Sequence, residues 1–478
     1  MVEKMSSDIA VIGSGPGGAV TATLCAEAGH NVLMIEEGPH LPLDSAAHFS
    51  HQEMLQKYRG GGVGLALGRA MIAYVEGRCV GGGSEVNRGL YHRTPGVILE
   101  RWRREFAAEG LMPEALAPHF AACEATARVE FLPGDAPLMS SRLADGARAL
   151  GWEAIEAQRL FRYGGPSNEG RKQSMSETFV PRFLRAGGRL IAETRVSRLR
   201  HSGGKWHLTA RRSREGGPAR QVEITAENIF VACGAVMTPS LLRRSGIKRN
   251  IGNSLRFHPM LKAVALFDTE VNRSDDLDPV HQIKAFEPRF SMGCSFSKRP
   301  TLALAMTAHP EHMRLVESDW KRMGIYYVQN MSAPAYVRNL PGFRDPLVVL
   351  RHDPAQLAEL AEGLKRLCEA LFAAGAVRVF PGVEGYPVLH SPSDIAKLPD
   401  TVRGTGSSLT SVHVFSSCPM GEDRSKCATD SFGRVQGAEG LYLADASLLC
   451  GPTMVNPQGT VMAIAHRNAM HAIERRFH

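Results

Sequence analysis

An α/β fold, in which a unit built on a parallel sheet is joined to a second α+β unit built on an antiparallel sheet, follows from three features of the sequence. The chain begins with a strand, a glycine turn, a helix and a second strand between residues 8 and 38. A buried-type strand at 229–233 runs through Gly234 and Ala235 into another helix start and repeats that logic. Between 251 and 353 short strand-like runs recur at intervals typical of an antiparallel sheet, and one long amphipathic helix follows them.

In the first feature, residues 8–12 are a short apolar run of strand type. Gly13, Gly15 and Gly18 fall in the spacing G-x-G-x-x-G, residues 19–28 read as a helix of small apolar residues, and the second strand, 31–35, ends on Glu36. This pattern is that of a dinucleotide-binding unit. The glycines permit a tight turn and let backbone N–H groups approach a pyrophosphate, whose charge rests at the helix N-terminus. Glu36 would accept hydrogen bonds from the adenosine ribose hydroxyls, and an acid there disfavours a 2′-phosphate, so FAD or NAD is expected rather than NADP.

The whole chain sets further bounds. Its 478 residues suggest two or three domains. No run approaches 18 apolar residues, so no membrane span is expected, and the first ten residues carry no export signal. The nine cysteines are scattered without a C-x-x-C pair. That favours reduced thiols in a cytoplasmic protein and no metal site. The net charge of +8 is spread among acids along the chain, which reads as a solvated surface and not as a nucleic-acid face.

Residues 39–73 look irregular, and the glycine-rich run 59–68 reads as loop, able to act as a mobile cover over a site. The stretch GRCVGGGSEVNRGLYHR at 77–93 is sharper. Its Gly82, Gly83, Ser84 and Asn87 give a bare backbone followed by hydrogen-bonding side chains; they suit close approach to a flat ring or a phosphate, and equally a glycine turn capped by Ser84. Residues 100–128 read as helices broken at Pro113 and Pro118, and 140–150 and 174–186 as further helices, the last carrying Pro181. Two alternating runs joined by Gly203 and Gly204 read as a hairpin. In the second unit, strands are expected at 261–267, 291–297, 301–307, 324–330 and 347–352. The helix at 354–375 has Leu357, Leu360, Leu364, Leu367 and Leu371 on one face, with Pro354 and Gly375 as start and stop.

The closing segment contains GLYLADAS, a strand ending on Asp445, and VNPQGTVMAIAHRNA, a turn feeding a helix. Here the chain resembles the glucose–methanol–choline (GMC) oxidoreductases. The likeness also covers the opening unit, GGGSEVN, GAVMTPSLLRRSGI, IGNSLRFHP at 251–259 and LFAAGAVRVFPG at 371–382. The resemblance implies a Rossmann-type, glutathione-reductase-like FAD-binding domain over 1–250, with inserted segments at about 39–76 and 95–185. It further implies a substrate domain over 251–400, and a return to the FAD domain with the catalytic motifs over 401–478.

By position in the family motifs, Gly13, Gly15, Gly18 and Glu36 would hold the ADP half of FAD. Gly82, Gly83, Ser84 and Asn87 would pass near the pyrophosphate, ribityl chain and flavin. Val196 would meet the adenine through its backbone, Asp445 the ribityl or diphosphate region, and Asn456, Pro457, Gln458 and Gly459 the flavin ring. A helix start at Gln458 would place partial positive charge beside that ring.

The catalytic pair of the family falls on His413 and Asn456, a His/Asn pairing similar to that of cholesterol oxidase and choline oxidase. An imidazole of near-neutral pKa suits the hydroxyl proton of an alcohol, and an amide can hold the oxygen. The expected reaction is oxidation of a small-molecule alcohol (CH–OH) to an aldehyde or ketone, with oxygen or another electron acceptor; a flavin-containing lyase or decarboxylase of the same fold is the alternative. A lipophilic or aromatic alcohol is favoured over a sugar or choline, with Phe286, Phe290, Met292, Phe296, Met306, Tyr326, Tyr327 and Met331 as pocket or core. His258 and His466 read as structural, and Cys418 and Cys450 as bystanders.

Overall fold

The computed structural model describes residues 2–164, 170–214, 217–402 and 409–477. The apolar run at the N-terminus is central in a seven-stranded sheet, where Glu3–Ile12 lies between Val32–Ile35 and Gly217–Val231, all parallel. Arg189–Ile191 extends one edge in parallel, and Leu441–Leu443 pairs in parallel with the end of Gly217–Val231. Residues 9–12, 32–35, 229–231 and 441–443 are buried on both faces, which is why they read as continuous apolar runs instead of alternating ones.

The helix Pro16–Glu27 has nearly every residue from Gly17 to Ala26 buried. It packs against the closing helix Gln458–Glu474 and against Phe179–Arg185. The expected hairpin is present: Thr194–Ser202 and Lys205–Arg214 pair antiparallel through Gly203 and Gly204, both at positive φ.

The second sheet has thirteen strands and draws several of them from outside 251–400, among them Gly64–Leu67, Ile72–Tyr74, Ala154–Glu156, Leu409–Ser411 and Val414–Phe415. Its centre is antiparallel, with Met260–Phe267 beside Met323–Asn330 and the latter beside Phe290–Ser295. One face packs under Pro354–Ala373, whose Leu360, Leu364, Leu367 and Leu371 join Phe290, Met292, Tyr326 and Val328 in one core. Asp353 caps that helix through the Gln356 N–H, and Gly375 follows it at φ 89°.

Four sequence expectations are corrected. Residues 301–307 are not a strand: Arg299–Ala305 is a helix, started by Pro300, which buries Leu302 and Met306 at helical spacing against Val264 and Phe380. The alternation of small and large residues there mimicked a strand, but Ala and Leu are strong helix formers. Pro118 lies within Pro113–Ala127 and does not break it; the break falls at 107–112, before Pro113. The helix expected from 174 starts at Phe179. In the glycine-rich run only Arg59–Gly62 is a turn, with Gly60, Gly61 and Gly62 at positive φ. Its continuation, Gly64–Leu67, is a strand paired to both Ile72–Tyr74 and Leu347–Leu350.

Candidate functional site

The two motif regions at the chain ends meet. The Asn87 amide donates to the Gln458 side chain, and the hydroxyls of Thr94 and Thr460 hydrogen-bond each other. A Cβ on Gly459 would lie 2.6 Å from the His92 carbonyl oxygen and from the Tyr91 ring, so the helix Gln458–Glu474 begins in close contact with the 87–94 segment. Pro457 is the residue before its first turn.

Three loops converge at the start of Pro16–Glu27. A Cβ on Gly13 would be 2.2 Å from the Ala232 carbonyl oxygen, and one on Gly18 2.1 Å from the Gly13 oxygen, so both positions are filled by backbone. Gly82 abuts Gly15, whereas a Cβ on Gly83 would meet nothing within 4 Å. The space over Gly15 and Gly83, at the N-terminus of a helix, fits a pyrophosphate cradle.

Glu36 closes this cradle from below. One carboxylate oxygen accepts from the Ser14 N–H at 3.1 Å and hydroxyl at 2.7 Å, and the other from the Gly38 N–H at 2.8 Å. Burial raises its pKa, and these three donors act against that shift. The oxygen bound by Gly38 keeps a second lone pair for a ribose hydroxyl.

Ser84 is committed to its own loop, donating to the Gly81 oxygen and accepting from the Met175 N–H, so its hydroxyl shapes the glycine turn. Asp445 accepts from the Gly234 and Ser447 N–H groups and the Thr238 hydroxyl, which ties the strand Leu441–Leu443 to the helix Gly234–Arg244. Val196 is buried at a register shift in its strand, two residues past the Thr194 N–H that donates to the Glu36 carbonyl.

His413 and Asn456 are together: the Asn456 amide nitrogen lies 3.1 Å from His413 Nε2. On the other side, His413 Nδ1 lies 3.0 Å from His258 Nδ1, and Gln329 Nε2 is 3.4 Å from that same nitrogen. Donor and acceptor roles follow from these partners. The Asn456 and Gln329 nitrogens can only donate, so His413 Nε2 and His258 Nδ1 must both be acceptors. His413 therefore carries its proton on Nδ1 and gives it to His258, leaving a lone pair on Nε2. His258 then carries its proton on Nε2, which is buried without a partner. His258, read from sequence as structural, is thus in direct contact with the candidate base.

Burial pushes His413 down to about 4, with the Lys284 ammonium adding to the shift, and drives His258 well below its usual value. His92 is held down to about 3 by burial, Lys284 and His413. Its ring faces the Asn456 side chain, which acts against that shift. Lys284 is ion-paired with Glu287 at 2.8 Å.

The sequence reading missed His92 and Lys284. His92 lies five residues past Asn87 in the quoted motif and could have been found there; Lys284 comes from beyond the strand His281–Ile283 and had no local signal. His466 pairs with His119 at 3.0 Å, away from His413. Burial pushes the Cys418 thiol up to about 12 and Cys450 higher, so both stay protonated.

Among the described residues no His, Cys, Asp and Glu cluster could hold a metal, and no helix is long and apolar enough to cross a membrane.

Comparison with known proteins places these features in context. Residues 54–260 and 344–465 match the family described as GMC oxidoreductase, and 11–56 match an NAD(P)-binding Rossmann-like domain. An uncharacterized GMC-type oxidoreductase of Sinorhizobium fredii is 36% identical over 98% of this chain and 95% of its own length. A long-chain-alcohol oxidase of Arabidopsis thaliana is 26% identical over 99% of this chain and 69% of its own. The crystal structure of pyridoxine 4-oxidase from Mesorbium loti superposes with a TM-score of 0.74 at 18% identity, covering 97% of this chain and 98% of that one.

Proposed function

The chain belongs to the GMC oxidoreductases and its cofactor is FAD, and from that premise we propose that it oxidises an alcohol (CH–OH) to an aldehyde or ketone, with His413 as general base and Asn456 holding the substrate oxygen. The observation that carries the reading is the row Asn456–His413–His258. It leaves one lone pair, on His413 Nε2, facing an amide donor 3.1 Å away.

A substrate hydroxyl that displaces the Asn456 amide from His413 donates to Nε2 and accepts from the released amide. The base takes the hydroxyl proton as the carbon–oxygen bond becomes a carbonyl. FAD, when bound, accepts the hydrogen and electron pair that leave the carbinol carbon. His413 at a pKa of about 4 is neutral at physiological pH, so the lone pair is in place without prior loss of a proton. The segment Gly13, Gly15, Gly18 and Glu36 and the loop Gly82, Gly83, Ser84 and Asn87 would grip the cofactor. Val196, Asp445, Pro457, Gln458 and Gly459 would complete the grip, the closing helix start lying toward the ring.

That relatives of known name are oxidases of alcohols, as in Arabidopsis thaliana, supports a CH–OH donor and molecular oxygen as acceptor. The test is anaerobic stopped flow over a panel of alcohols. An alcohol should bleach the flavin, and His413→Ala should slow that reduction by about 10²–10⁴-fold with FAD still bound. A reduction rate within about threefold of wild type removes His413 from the role. Hydrogen peroxide release on reoxidation reads the acceptor.

A further inference from the structure

The central strands of the second sheet present two unlike surfaces on the face turned away from Pro354–Ala373. At one end Val264, Leu266 and Ile325 are apolar and lie under Leu302 and Met306. At the other end the same face is polar. Lys262 is opposite Tyr327, Tyr327 opposite Gly293, and Gly293 opposite Gln282. The Tyr327 ring lies across Gly293, where a Cβ would come within 2.4 Å of its hydroxyl. Two residues along the same strand, about 7 Å at strand rise, Gln329 reaches His258 beside His413. The polar row therefore crosses four strands, offset along Met323–Asn330 from the residue that reaches His258.

Arg88 stands against this row. It follows Asn87, its guanidinium lies 5.2 Å from the Phe49 ring and 5.1 Å from the Phe296 ring, and it is ion-paired with Asp278. Asp278 also holds Arg159 at 2.6 Å. Two guanidiniums on one carboxylate leave one positive charge uncompensated. Lys262 adds another, because its ammonium has no ion pair or hydrogen bond among the described residues. Burial, and then repulsion from Arg88, holds the Lys262 ammonium below its usual pKa. Uncompensated cations in a half-buried polar wall are costly unless an anion arrives to pair with them.

Resting on the alcohol-oxidation reading above, we propose that the substrate is an alcohol carrying an anionic head group, carboxylate or phosphate, which pairs with Lys262 and Arg88 while its hydroxyl lies between His413 and Asn456. The about 7 Å strand offset from Tyr327 to Gln329, with the His258 ring between Gln329 and the base, calls for a spacer of at least about six carbons between the two groups. Tyr327 and Gln282 offer the head group hydrogen bonds, and the Phe49 and Phe296 rings fix the guanidinium that meets it.

The FAD-loaded protein is mixed anaerobically with 6-hydroxyhexanoate, 4-hydroxybutyl phosphate, 1-hexanol and 6-hydroxyhexanamide, and flavin reduction is followed. At least one anionic alcohol should exceed both neutral ones by about tenfold in second-order reduction rate, and Lys262→Met should erase most of that ratio. The two anionic arms say which head group is read. Equal rates across the four, or a ratio that Lys262→Met leaves intact, overturns the proposal while alcohol oxidation stands. If none of the four bleaches the flavin, the anion site is read separately by titrating oxidised protein with hexanoate against hexanamide. A hexanoate-specific shift of the flavin spectrum that weakens about tenfold in Lys262→Met supports the site, and no such shift overturns it.

Discussion

Histidine 413 is useful as a base only in the tautomer with a bare Nε2, and His258 is what selects that tautomer. The His258 ring is buried, meets His413 nearly edge-on, and receives a second contact from Gln329. Removing it in His258→Ala should lower the flavin-reduction rate by about 10–100-fold through loss of orientation. His258→Asn can place an oxygen acceptor near the old Nδ1 position and should recover part of the rate; equal loss in both variants would mean packing, not hydrogen bonding, matters there.

The same histidines set a pH response. A base with its pKa near 4 works deprotonated, so the reduction rate should stay level from pH 9 down to about 6 and fall only as pH approaches about 4. An acid limb centred near 6.5 would show that His413 is not shifted in the working enzyme. Stability has the same sign: the unfolded chain takes up protons at pH values where buried His92, His258 and His413 stay neutral. Their contribution is present above about 6.5 and lost as pH falls toward about 4, so Tm should decline across that window.

At the scale of elements, neighbouring glycines in one cradle have opposite roles. Gly18 and Gly13 are packed against backbone, and Gly83 faces open space. Gly18→Ala should therefore damage the fold itself, because its Cβ would collide with the Gly13 carbonyl oxygen. Gly83→Ala should leave apoprotein melting within about 1 °C of wild type while weakening FAD binding about tenfold or more, since its methyl would enter the space where the cofactor fits. Differential scanning calorimetry of apoprotein together with flavin titration separates the two effects. Gly83→Ala with unchanged FAD affinity would move the pyrophosphate away from that loop. Elements with strong local chemistry were legible in the sequence: the glycine turn with Glu36, the Gly203–Gly204 hairpin, and the helix capped by Asp353 and ended by Gly375. The strand Gly64–Leu67 was not, because its residues have weak strand propensity and its pairing with Ile72–Tyr74 and with the distant Leu347–Leu350 makes it a strand. The pair His413 and Asn456 was readable from its motifs, whereas Gln329 reaches the site through strand pairing and Lys284 from the segment after His281–Ile283.

For the whole molecule, the order of strands in the two sheets bears on how the chain holds together. The cofactor-side sheet takes strands from 3–12, 32–35, 189–191 and 441–443, so the chain closes on itself there. The second sheet takes strands from 64–74, 154–156 and 409–415 as well as from the middle of the chain. We propose that 1–250 with 401–478 forms the cofactor domain and 251–400 the substrate domain, but the borrowed strands mean that neither piece owns a complete sheet. Residues 251–400 alone would expose the edges that Ala154–Glu156 and Leu409–Ser411 cover, and edges of that kind are costly to leave open. A single cooperative melting transition is expected for the intact chain, even at this length. FAD held as proposed would touch segments from both ends and the 82–87 loop, so free FAD at about 100 times its Kd should add about 2.7 kcal/mol to that one transition. Calorimetry at graded FAD concentrations reads it directly: the whole transition should move upward together. Two transitions, only one of them responding to FAD, would show that the sheets unfold separately and that the interleaving of strands does not couple them.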